Sequence, residues 1–579
     1  MQTEGISMQP YAEINASYGS FNAHKETVKF GTGLLKDHWA FDARLSNIGT
    51  DGYIDRASVD LYSFYAQGGY FADNTSVKFI TFGGKEKTYH AWNYATKEEM
   101  KKYGRRFNSC GMYTDDDGHI RFYKDQTDNY LQMNHTFSAA WNLNAALHYT
   151  KGDGYYQEYK EDRSLKEYRL HPFMYDGKEV EKSDLIRQKK MDNHFGGGVF
   201  SVNYRNEKLD ASLGGALNYY DGWHFGRVIW VKNYIGELLP DHEYYRNKAK
   251  KTDGNLYLKA NYNLVAGLNA YADLQYRYIN YKIHGDNDKY DYNTDGLQKL
   301  AVNDHFNFFN PKAGLNWDID SNNRVYASFS VAQKEPTRNN YTDGNADEYP
   351  KAEKLYDYEL GYTYRNTWLS AGVNFYYMDY KDQLVLTGEL NEIGEAMARN
   401  VPDSYRTGVE LMLGVKPCRW FQWDINGTLS KNRVKNFTEK LYEDEWKNPI
   451  EVEHGNTPIA FSPDFILNNR FSFSHKGFEA ALQSQYVSKQ YMSNAKQAEQ
   501  TLDAYFVSNL NLAYTFQLPH VKSVTVGFTI YNLFNEKYEN NGYAGSGYTL
   551  KDGKPERYNY AGYAAQAGTN VMGNLSIRF

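Results

Sequence analysis

The residues with chemistry to offer lie in polar stretches between apolar runs. Residues 90–129 carry His90, Trp92, Tyr94, Arg105, Arg106 and His119, and residues 221–250 carry Trp223, His224, Arg227 and Trp230. An arginine presents a planar fork of donors to an anion, and an aromatic ring presents a face to a flat ligand. Such groups suit binding, although loop packing and interfacial anchoring account for the same residue types. Catalysis has less support: no G-x-S-x-G, H-E-x-x-H or comparable signature sets a nucleophile beside a base. His90 with His119, and Asp115-Asp116-Asp117, lack a recognised ligand spacing. The acidic triplet therefore reads as a solvated turn, and no catalytic residue, metal or cofactor is expected.

The elements that hold these stretches must be strands. Aromatics make up 17% of the 579 residues, with 55 Tyr and only 13 Pro, which excludes disorder and collagen-like structure. Mean hydropathy is −0.76, and no run of 18 apolar residues exists to form a membrane helix. A barrel wall escapes such a window, because it needs apolar residues only at alternate positions. A net charge of −6 and a pI near 6.2, without a basic stripe, exclude a nucleic-acid partner. Cys110 and Cys418 are too few for a disulfide scaffold. Met1 is followed by Gln, Thr, Glu and Gly, which is not a signal peptide, so a mature or truncated chain is expected.

Period-two alternation puts successive side chains on opposite faces. From Leu268 to Tyr278 the even positions are apolar or aromatic and the odd ones mostly polar, and the last strand sets Val571, Leu575, Ile577 and Phe579 against Asn574, Ser576 and Arg578. About 22 strands are predicted, starting near residues 11, 25, 39, 60, 75, 130, 141, 194, 209, 251, 268, 306, 323, 353, 367, 395, 419, 458, 478, 502, 521 and 570. Their connections alternate in length. Brief turns such as Arg205-Asn206-Glu207-Lys208 and Arg365-Asn366-Thr367 alternate with long stretches at 90–129, 152–193, 221–250, 285–305, 335–352, 434–457 and 536–569. The fold class expected is all-β, a transmembrane antiparallel barrel over residues 11–579 after a short lead at 1–10, with short periplasmic turns and long extracellular loops. That topology puts Cys110 outside and Cys418 in the periplasm, where they cannot bond. Tyr18, Tyr70, Trp141, Tyr204, Trp368, Trp420 and Trp423 at strand ends suit aromatic girdles.

Dispersed motifs carry a family resemblance along the whole chain. Ser17-Tyr18-Gly19-Ser20-Phe21-Asn22 and SNIGTDGYID at 46–55 resemble the opening strands of TonB-dependent receptor barrels. GGKEKTYHAWN at 83–93 and AQKEPTRNNYTD at 332–343 are similar to stretches in siderophore- and vitamin-type receptors of Bacteroidota. EKLYDYELGYTYRN at 353–366, YRTGVEL at 405–411, YNLFNEKYENNGY at 531–543 and the terminal LSIRF resemble the family's C-terminal half. The resemblance implies uptake of a scarce, bulky nutrient across the outer membrane of a Gram-negative bacterium, with an iron-siderophore complex or cobalamin as ligand. It also implies a monomeric barrel in outer-membrane lipid, energised by the inner-membrane TonB complex. It sets Arg338, Asn340 and Tyr341 near the ligand vestibule, against their reading as a loop anchored by Pro336. The family places a TonB box and a plug before its first strand, and this sequence opens at that strand, so a barrel region without its plug is expected.

Two other functions compete. A passive porin-like channel needs an inward-folded, charged constriction loop, and residues 152–193, with Lys160, Glu161, Asp162, Arg163, Lys166 and Arg169, have the charge for one. An outer-membrane hydrolase lacks its signature.

Overall fold

Alternation becomes a closed wall because every strand finds two neighbours. The computed structural model describes residues 5–140, 143–236, 238, 242–292, 294–344, 349–391, 394–443 and 447–579. The first half of the wall is β1 (Pro10–Gly19), β2 (His24–Thr32), β3 (Trp39–Thr50), β4 (Val59–Ala72), β5 (Thr75–Tyr89), β6 (Thr127–Ala140), β7 (Leu143–Ser164), β8 (Lys182–Arg205), β9 (Leu209–Val231), β10 (Glu243–Val265) and β11 (Leu268–Asp291). The second half is β12 (Gly296–Asp318), β13 (Asn323–Lys334), β14 (Glu353–Arg365), β15 (Leu369–Leu390), β16 (Ala396–Cys418), β17 (Phe421–Glu443), β18 (Lys447–Pro458 with Phe465–His475), β19 (Phe478–Val487), β20 (Tyr505–Leu518), β21 (Val521–Tyr531) and β22 (Asn570–Arg578). The sheet contains 23 strands, and both pieces of β18 pair with β17, so the wall has 22 positions. Ile577 of β22 stands opposite Ile14 of β1, which closes the barrel. Closure satisfies the edge backbone groups that hydrocarbon would leave without partners.

The register lines up one face for lipid. Leu213, Leu258 and Leu274 lie side by side across β9, β10 and β11, and each is 44–49% exposed. Tyr18, Tyr204, Trp368 and Trp420 are exposed as a girdle requires. Tyr70 packs on Trp39 with ring centroids 5.0 Å apart and Trp423 on Phe471 at 5.9 Å, while Trp141 lies outside the described residues. Asn206, Asp320 and Asn366 each turn a side-chain oxygen onto N–H groups two and three residues ahead, at 2.7–3.0 Å, and so tighten the short-turn rim.

On the other rim the connections predicted at 152–193, 221–250, 285–305 and 434–457 are shorter than expected, whereas those at 90–129, 335–352 and 536–569 fall between wall strands as expected. β7 continues to Ser164 and β8 begins at Lys182, so most of residues 152–193 is wall. Lys160, Glu161, Asp162 and Arg163 lie on β7, and Lys166 and Arg169 lie in the turn above it, not in an inward-folded constriction. Residues 221–250 and 285–305 are likewise mostly strand. β7 has 22 residues, about twice what crosses a bilayer. Beyond the membrane no lipid selects for apolar side chains on one face, so alternation fades while backbone pairing continues. In β11 the phase reverses: Ile279, Tyr281 and Ile283 turn inward and are buried, whereas Lys282 and His284 face out.

The segment between β5 and β6 crosses the mouth. It contains α1 (Lys97–Tyr103), started by a capping box of Thr96 and Glu99. A Cβ on Gly394, between β15 and β16 on the far side of the barrel, would lie 2.2 Å from the Trp92 Cβ. Glycine is therefore needed where the crossing segment meets the far side of this rim. Cys110 is 2% exposed in this segment, and burial pushes its thiol up to about 11. Maleimide should label Cys110 more slowly than the half-buried Cys418, and the opposite order in the intact protein would mean that the crossing segment is not packed down.

Candidate ligand site

Inside the barrel, polar residues from the inner faces of β10 and β11 hold the connection that follows β13. Arg277 donates to both oxygens of Asp253 and of Glu335, and Lys251 also pairs with Glu335. Glu335 is buried. Burial alone would raise its pKa, but the Lys251 hydrogen bond and the charges of Lys251 and Arg277 outweigh that and hold it below the ordinary glutamate value.

The same connection forms α2 (Arg338–Thr342), where Asn340 accepts the Thr337 N–H at 2.8 Å and completes a capping box. Tyr341 then packs into an inner apolar belt that includes Ala249, Ile279, Tyr281, Ile283, Leu300, Val302 and Phe308. Its hydroxyl donates to Asp304 at 2.7 Å, and the Tyr349 hydroxyl donates to the other Asp304 oxygen at 2.9 Å. That carboxylate and burial push the Tyr341 phenol well up and the Tyr349 phenol up to about 12. Both stay neutral donors. At its far end α2 is tied to the β15–β16 hairpin by Asn339 to Glu395 and by Asn391 to Asp343.

Arg338 stands apart from the Arg277–Glu335 network. Its guanidinium donates to Asn247 at 2.9 Å, and its Nε is buried without a hydrogen-bond partner. Among the described residues no carboxylate pairs with it. Tyr220, His224, Tyr245 and Tyr281 lie within its electrostatic reach. The result is a fixed positive charge within electrostatic reach of aromatic side chains of the wall. Beside Tyr341 and Tyr349 opens a cavity of about 720 Å³, with Lys166, Arg169, Tyr290, Asp295 and Lys299 on its margins. Its size is that of a small-molecule site.

The structure brings His224, Arg338, Asn340 and Tyr341 together, with Asn340 spent on capping α2, and places the other predicted residues elsewhere. Trp223, His224 and Arg227 sit on β9 rather than in a loop. Trp223 faces outward, under Arg246 and Lys248. His90 is buried and stacks on Trp92 with centroids 3.6 Å apart. Tyr94 and Arg105 tie the crossing segment to the hairpin Glu539–Lys551 and Lys554–Ala565, through Tyr543 and Glu539. Arg106 pairs with Asp55 at 3.1 Å. His119 lies with Asp115 and Asp117 in an exposed turn whose spacing suits a cation, but Asp115 already accepts the N–H groups of Asp117 and His119 and the Arg121 side chain. Sequence reasoning missed Tyr220, Asn247, Tyr281, Asp304, Glu335 and Tyr349. The inner positions of β10 and β11 could have been found from strand parity, since Ile279 and Ile283 break an otherwise polar inner face.

The family model described as TonB dependent receptor-like, beta-barrel matches residues 69–533. A pesticin receptor of Yersinia enterocolitica is 24% identical over 225 residues, covering 38% of this chain and only 30% of that receptor's length. The crystal structure of the ferric yersiniabactin uptake receptor of Yersinia pestis superposes with a TM-score of 0.69 at 14% identity, covering 100% of this chain and 81% of that one. The siderophore receptor PiuA of Acinetobacter baumannii gives a TM-score of 0.70 at 11% identity, with 100% and 82% covered. A copper transporter, OprC, matches with a TM-score of 0.69 at 12% identity, again covering 100% and 82%. At these identities the structural likeness concerns the fold.

Proposed function

This chain belongs to the TonB-dependent receptor β-barrel family, and from that premise we propose that it is the wall and vestibule of an outer-membrane receptor for a ferric siderophore. The relatives' names point the same way: the solved neighbours include ferric yersiniabactin and siderophore receptors. The observation that carries the choice of an anionic chelate is Arg338, a cation without a carboxylate partner among the described residues, set among tyrosines on the inner wall. An anion completes its charge, and the rings flank a flat chelating group. In this placement the short-turn rim faces the periplasm and the crossing segment faces outward. Tyr341, held by Asp304, keeps α2 against the wall with Arg338 at its first turn.

The test is accumulation of radiolabelled iron-siderophore complexes by iron-starved cells. Uptake of at least one complex should fall to background when the receptor gene, or the TonB complex, is removed. Uptake unchanged by either deletion across a panel of catecholate, hydroxamate and mixed chelates would overturn the proposal.

A further inference from the structure

The wall beside Arg338 holds a second polar atom without a partner. His224 on β9 and Asn247 on β10 stand directly opposite each other in the ladder, which sets their Cβ atoms about 5 Å apart. Arg338 reaches the same Asn247 from α2. His224 is therefore next to the Arg338 anchor, and its Nε2 is buried without a hydrogen-bond partner, as is the Arg338 Nε. Gly222 lies between Tyr220 and His224 along the inner face of β9, and a Cβ there would collide with the Tyr220 ring. That ring crosses the strand at Gly222 and floors the recess under His224.

Burial, with the Arg338 charge beside it, pushes the His224 imidazole down to about 3, so the ring is neutral at physiological pH. With its proton on Nε2, a neutral ring donates a hydrogen bond and adds no charge. The cations flanking this recess on β8, β10 and β11 already have carboxylates: Arg187 pairs with Glu158, Lys189 with Asp288, and Arg277 and Lys251 with Asp253 and Glu335. The recess therefore offers two unused donors but one unmatched positive charge.

We infer that His224 and Arg338 together read one carboxylate, one oxygen accepting from each, and that the site takes a ferric chelate of one net negative charge. A carboxylate has the two oxygens this needs. A ferric tris-catecholate does not suit, because three dianions around a trivalent iron leave three negative charges and the recess answers one. The surplus charge would be desolvated against a neutral ring, which is costly. The inference rests on the siderophore reading proposed above and names the charge class of its ligand.

The test is fluorescence titration of the full chain in detergent with three probes: a ferric trihydroxamate bearing one free carboxylate, its methyl ester, and a ferric tris-catecholate. Heat-modifiable mobility checks folding. The carboxylate probe should bind at least about ten-fold more tightly than either of the others. His224→Phe should lose about ten-fold for that probe and leave the ester unchanged, whereas His224→Gln, which keeps an uncharged N–H donor, should stay within about three-fold of the parent. Tris-catecholate or ester binding as tight as that of the carboxylate probe, or parent-like binding by His224→Phe, would overturn the charge assignment and leave the receptor reading intact. If no probe bound the parent, the assignment would fall as well, and the uptake screen above would decide the receptor reading separately.

Discussion

An Arg338→Ala receptor should bind its ferric chelate about ten- to a hundred-fold more weakly than the parent, a loss of roughly 1.5–3 kcal/mol, typical of a charge-assisted hydrogen bond removed from a partly buried site. Arg338 is not holding the wall together: among the described residues its side chain donates to Asn247, which has a second anchor in the Asp286 carbonyl. The barrel should therefore remain intact in the variant. Arg338→Lys should recover part of the affinity, because it restores the charge but not the planar fork. Isothermal titration with the chelate found by the uptake screen gives the measurement. Parent-like affinity in Arg338→Ala would mean that the positive charge of the inner wall plays no part in capture.

The second large effect concerns the strap that carries α2. Glu335→Leu leaves Lys251 and one edge of Arg277 facing an apolar side chain, where they now share a buried carboxylate. Breaking a buried pair on one side costs about 3 kcal/mol, enough to raise the released population of residues 335–352 by more than about a hundred-fold. Acid should act on the same contact. The folded-state pKa of Glu335 is depressed below its ordinary 4.5, so its contribution is fully present above that value and is lost as pH falls through the lower folded value. Limited proteolysis should find residues 335–344 protected in the parent at pH 7 and cut in strongly acidic buffer, whereas Glu335→Leu should be cut at both. A variant as resistant as the parent at pH 7 would show that Tyr341 and Asp304 anchor α2 without the ion network.

The wall was largely legible in the sequence because lipid imposes a simple rule at each strand. Leu268 to Tyr278 had to alternate to pass through hydrocarbon, and Asn206 or Asn366 had to bend the chain back at the short-turn rim. The upper barrel obeys no such rule. Lys182 to Asn193 and Gly296 to His305 pair as strands in a polar setting, where the ladder alone decides, and their side chains announce nothing about it. That is why four of the connections looked longer than they are.

The site was legible only in part. Arg338 and Tyr341 stood out through a motif, and His224 through its aromatic neighbourhood, yet nothing local relates residue 224 to residue 338. Their meeting depends on a strap that returns into the barrel and docks on Ile279, Tyr281 and Ile283. The sequence by itself determined the barrel, its approximate strand number and its family, because period-two patterning and turn chemistry are local and repeat along the chain. Only the tertiary structure decided that Arg338 is left without a carboxylate partner among the described residues, that Trp92 meets the far side of the same rim at Gly394, and that Tyr341 meets Asp304. Those outcomes follow from closure and register, which join residues far apart in the chain.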